Sequence, residues 1–116
     1  MKTVESATNE VLTRHLKAFG ESSIEKILSD YSEQSTILCG KGAIKGLDNI
    51  RQFFEEMFGL IPAGSLFEMK KLTVSGNSAH IIWSSKSATA DIPFGTDTFI
   101  IENNKITLHT VSAFIK

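Results

Sequence analysis

The sequence predicts an α+β fold in which three N-terminal helices pack into a strongly curved, mostly antiparallel sheet. Apolar residues recur at helical spacing through the first half, to Ile61, whereas from Leu66 onward they alternate between two faces and are punctuated by the tight-turn pairs Gly76-Asn77 and Asn103-Asn104. Helices gathered at the front with a meander at the back give a curled sheet closing over helices. At 116 residues, 41% of them hydrophobic, the chain is expected to form one domain over residues 1–116 with one core.

The first helix runs from Val4 to Phe19 on the stripe Val4, Ala7, Val11, Leu12, Leu16 and Phe19, with Gly20 as its stop. His15 lies four residues after Val11 and four before Phe19, and so points with the stripe. Ser22-Ser-Ile-Glu25 has capping-box spacing and opens a second, short helix to about Tyr31. Ser35–Cys39 reads as a strand, and Gly40 and Gly42 bend the chain before a brief Ala43–Lys45 segment. A third helix starts at Gly46-Leu-Asp48 and carries the broad face Ile50, Phe53, Phe54, Met57, Phe58 and Ile61, ended by Pro62 and Gly64.

Leu66–Val74 is a strand whose alternation changes register at Lys70-Lys71, which places a bulge there. Ala79–Ser85, Phe94–Ile101 and Ile106–Ile115 complete a four-stranded meander, with Pro93-Phe-Gly95 implying a bend or an edge position. In the third of these strands Asp97 shares a face with Phe99 and Ile101. An acid among core formers must be paired, hydrogen-bonded or neutral, so Asp97 ends a polar network or lines a cavity.

The formal charge is −1, with acids and bases interspersed and no Lys/Arg run able to track a phosphate backbone, which argues against nucleic acid. Cys39 is the only cysteine, so no internal disulfide can form and a cysteine zinc site lacks sulfur ligands. Two histidines and an acid lack the short-range spacing of a metal motif, and neither metal nor cofactor is expected. No apolar run approaches a signal peptide core or a membrane span, so the expected location is the reducing cytoplasm, away from membranes.

The order helix, helix, short strand, helix, four strands, together with Arg14-His-Leu-Lys-Ala-Phe19, Leu28-Ser-Asp-Tyr31, Gly46-Leu-Asp-Asn-Ile-Arg51 and Phe94-Gly-Thr-Asp-Thr-Phe99, resembles the nuclear-transport-factor-2-like superfamily. It is most similar to the SnoaL-like branch, related to polyketide cyclases and ketosteroid isomerases. The resemblance spans nearly the whole chain and implies a cystatin-like cone. Ketosteroid isomerases use a tyrosine and a protonated aspartic acid at an enolate oxygen, and a second aspartate as base. By this resemblance Asp97 matches the oxyanion-holding acid, His15 stands at the tyrosine and Cys39 at the base. Two of the three roles are therefore changed, and the steroid route does not carry over. Val111, Ala113, His109 and Trp83 match strand positions lining the family's pocket, with Phe54 reaching it from the third helix.

The resulting expectation is an enclosed, largely apolar pocket for a small apolar or carbonyl-containing molecule, centred on Asp97 and His15, with His109 as a second partner for the acid. Chemistry suited to those groups is proton transfer next to a carbonyl, as in an isomerase, cyclase or dehydratase. The alternatives are a non-catalytic ligand-binding or dimerisation module and, third, a protein adaptor. Cys39 reads first as a small buried hydrophobe. His80, Ile82, Ile100 and Phe114 fall on the outer face of the sheet, where the resemblance implies a homodimer.

Overall fold

A computed structural model describes residues 3–116 of the chain. Helix α1 (Val4–Gly20) is capped by Thr3, whose hydroxyl accepts from the Ser6 N–H, and it turns Thr8, Val11, Leu12, His15 and Ala18 inward. The helix continues through Gly20, and its stop lies two residues later, at Ser22. That residue is left-handed (φ 51°), the Ser22 N–H donates to the Phe19 carbonyl and the Ser23 N–H to the Ala18 carbonyl, each at 3.0 Å. This is the bond pattern of a Schellman stop. Since Ser22 terminates α1 it cannot cap the next helix, so the cap of α2 (Ile24–Leu28) falls one residue beyond the expected box, on Ser23. The second helix also ends earlier than its apolar spacing suggested, and Asp30 and Tyr31 follow it in a turn.

Strands β1 (Thr36–Cys39) and β2 (Gly42–Lys45) form a hairpin through Gly40-Lys41. Gly46, at φ 83°, then lets the chain swing into α3 (Leu47–Leu60), which buries Ile50, Phe53 and Phe54. The meander follows as β3 (Leu66–Ser75), β4 (Ser78–Lys86), β5 (Asp91–Glu102) and β6 (Lys105–Phe114). The sheet order is β2-β1-β6-β5-β4-β3, antiparallel except where β1 runs parallel to β6. The fold is the α+β cone expected, with three helices and a mixed, curved six-stranded sheet among the described residues.

Three register breaks bend this sheet. The first is at Lys70, as the alternation indicated. The second lies in β5 between Ile92 and Gly95, opposite Ser84, and gives Pro93 its place: a bulge inside a central strand, where its missing N–H costs no ladder bond, and not a sheet edge. The third leaves Thr107 unopposed in β6. Inside the curve Leu12, Ile27, Ile37, Ile50, Phe99 and Ile106 are fully buried. No described helix is long and apolar enough to cross a membrane.

Candidate functional site

Cross-strand pairing sets the inner wall in rows. Ala113, Gly95, Trp83 and Met69 form one, Val111, Asp97, Ile81 and Leu72 the next, and Ile37, His109, Phe99, Ala79 and Val74 a third. Asp97 and His109 are thus diagonal neighbours on adjacent strands, close enough for their side chains to meet. His109 Nε2 lies 2.7 Å from Asp97 Oδ2, and the Trp83 indole N–H donates to Asp97 Oδ1 at 2.9 Å. On the other side of the imidazole, Tyr31 Oη is 2.8 Å from His109 Nδ1.

One assignment of protons gives every donor an acceptor: Tyr31 donates to Nδ1, His109 donates from Nε2 to Asp97, and Trp83 donates to the same carboxylate. Burial, with Asp97 and Asp30 nearby, pushes the Tyr31 phenol well above its ordinary pKa, so it stays a donor. Phe99 stacks on the imidazole at 4.3 Å between ring centroids. Gly95 makes the arrangement possible, because a Cβ there would sit 2.4 Å from the Trp83 ring. The indole lies across bare backbone on one side and stacks on Phe67 on the other, at 5.5 Å.

His15 faces a different acid. Its Nδ1 lies 3.8 Å from Asp30 Oδ2, and no hydrogen bond joins it to Asp97 among the described residues. The Asp30 side chain is completely buried, and its Oδ1 accepts from Arg14 Nε at 2.7 Å. Burial raises the Asp30 pKa and the Arg14 contact opposes that rise. Burial, then the neighbouring His109 and Arg14, bring the His15 pKa down to about 3, so its ring is neutral near pH 7. The imidazole is held edge-on by Tyr31, Phe54, Phe99 and His109.

Between helices and sheet there remains a central cavity of about 30 Å³, walled by His15, Phe54, Trp83, Asp97, His109 and Val111 with further apolar side chains. That is room for about one or two water molecules. Cys39 and Ala113 do not reach it. They line an adjoining apolar groove of about 220 Å³, which shares Phe53, Met57 and Val111 with the cavity. No cluster of three or more His, Cys, Asp or Glu able to hold a metal occurs among the described residues.

The sequence motifs that contain Tyr31, Asp30 and Gly95 gave none of the three a role in the site. Tyr31 and Asp30 follow α2 directly, where a polar pair next to a buried helix end was the available signal; nothing local distinguished Gly95 from an ordinary bend residue.

No family model matches the sequence, and no curated protein matches it. Solved structures do match. An NTF2-like protein of unknown function from Mesorhizobium loti superposes with a TM-score of 0.81 at 15% identity, over 98% of this chain and 96% of that one. A putative ketosteroid isomerase from Kribbella flavida gives 0.80 at 13% identity, over 97% and 81%. A SnoaL-like protein of unknown function from Burkholderia thailandensis gives 0.74 at 12% identity, over 95% and 96%. At such identities the likeness is one of fold.

Proposed function

We propose that this chain, which has the nuclear-transport-factor-2-like fold, binds a small, largely apolar, carbonyl-containing molecule beside Asp97 and transfers a proton next to the carbonyl, as an isomerase, cyclase or dehydratase does. The observation that carries the reading is the Tyr31–His109–Asp97 chain ending at the wall of an otherwise apolar cavity. A carboxylate and imidazoles in such surroundings are the groups general acid–base chemistry uses. The ligand enters from the groove beside Cys39 and Ala113. Met57, unbranched and on the shared wall, turns aside so that groove and cavity become one space.

Trp83 is the only tryptophan and its N–H rests on Asp97, so its fluorescence reports on the acid directly. Titration with a panel of small cyclic ketones and enones is expected to give a saturable change for at least one. In D₂O the protein is expected to speed deuterium uptake at that ketone's α-carbon, and Asp97→Asn to remove this while remaining folded. No saturable change across the panel, or equal uptake with the variant, overturns the proposal.

A second reading has its own support. The polar groups around Asp97 already satisfy one another and the central cavity is small, as suits a non-catalytic binding or dimerisation module. Such a module shows saturable binding without deuterium uptake. In either case the occupant of the outer sheet face is a second copy of the chain: Leu38, Phe94 and Phe114 are exposed there beside the outward Ile82, Ile100 and Leu108.

A further inference from the structure

We infer that Asp30 is a positioning residue for His15, holding its ring with the proton on Nδ1 so that Nε2 faces the central cavity as an unprotonated acceptor. Two polar atoms sealed from solvent have no hydrogen-bond partner among the described residues, His15 Nδ1 and Asp30 Oδ2, and they lie 3.8 Å from each other. Leaving both unsatisfied is costly, and a proton between them satisfies both after a shift of under an ångström. The carboxylate is the acceptor, because its other oxygen already takes a hydrogen bond from the guanidinium of Arg14, which stays charged.

Adjacent residues on α1 therefore reach Asp30 from opposite sides. Arg14, half exposed, comes from the solvent, and His15 from the interior. Other ionisable groups near the pair are Tyr31, beside Asp30 in the turn, His109 of β6 at 5.8 Å between ring centroids, and Lys105, whose charge lowers the Asp30 pKa.

With Nδ1 engaged, the ring nitrogen left for a ligand is Nε2. It has no partner among the described residues, is not sealed from solvent as Nδ1 is, and belongs to a ring that lines the cavity. His109 offers no such atom, since Tyr31 occupies its Nδ1 and Asp97 its Nε2. The cavity thus presents two imidazoles with different tasks. His109 is committed to Asp97, and His15 is open to a ligand hydroxyl or N–H. This deepens the binding proposal and rests on it: the ligand carries a hydrogen-bond donor on the side away from the group that meets Asp97.

Long-range ¹H–¹⁵N spectra of the imidazoles at neutral pH test the tautomer without any ligand, so this inference and the binding proposal fail separately. The expected wild-type result is protonated Nδ1 and bare Nε2 for His15, with the reverse for His109. In Asp30→Asn, Arg14 keeps the amide oxygen and the amide N–H₂ turns to His15, which moves the ring proton to Nε2. A wild-type His15 protonated on Nε2, or an unchanged pattern in the folded variant, overturns the inference. If Asp30→Asn does not fold, the wild-type spectrum alone decides.

Discussion

Gly95 shows how much one absent methyl group permits. With a Cβ 2.4 Å from the indole, Gly95→Ala must displace Trp83, breaking its bond to Asp97 and its stack on Phe67. The expected loss is about 1–3 kcal/mol, read by urea unfolding, with a change in native tryptophan fluorescence; unchanged fluorescence would show that the indole does not depend on the bare backbone. His15 predicts a pH effect. Its pKa falls from 6.5 to about 3 on folding, so the unfolded chain binds the extra proton, and stability declines as pH drops below about 6.5 toward 3. By pH 5 the loss is about 2 kcal/mol. Asp30, with its pKa raised, works against this trend because its buried carboxyl gains from protonation as pH falls. Urea titrations at pH 7 and pH 5 should therefore show a larger drop for wild type than for His15→Gln, and parallel drops would refute the assignment. At this scale the inward direction of Asp97 and His15 was legible from spacing. The pairing of His109 with Asp97 was legible too, but the partner of His15 was not, because two acids lay within reach and only the turn carrying Asp30 decided which one met it.

Element boundaries depend on which residue closes α1. Ser22 holds a left-handed conformation that glycine adopts more readily, while Ser23 caps α2 with its hydroxyl. Ser22→Gly should raise stability by about 1 kcal/mol, and Ser23→Ala should lower it by about 1 kcal/mol. Thermal or urea unfolding checks both, and the opposite signs would restore Ser22 as the cap. Apolar spacing revealed the three helices and the alternating strands well. It did not reveal the stop, because Gly20 was the stronger local signal and a serine rarely takes the left-handed position. Lys70 was legible as a bulge since the in–out pattern slips there. Pro93 left bend and edge open, and only its pairing inside β5 resolved them.

For the molecule as a whole, the outer sheet face carries the association argument. Phe94 and Phe114 are paired across β5 and β6 and are each more than half exposed, at 53% and 57%. Sedimentation at tens of micromolar is expected to show a dimer, and Phe114→Asp to give a folded monomer; a monomeric wild type rules the dimer out. The pairing of β1 with β6 was the topological step that local pattern could not reveal, since nothing near Thr36–Cys39 names a partner as distant as Leu108–Thr110. That parallel contact also governs assembly on the ribosome. Thr36 emerges long before Leu108, so until β6 is made the side of β1 that it covers stays open and the cone unclosed. Nascent chains are most prone to stray strand exchange at β1 during that interval, which closes when β6, the last strand of the meander, pairs beside it.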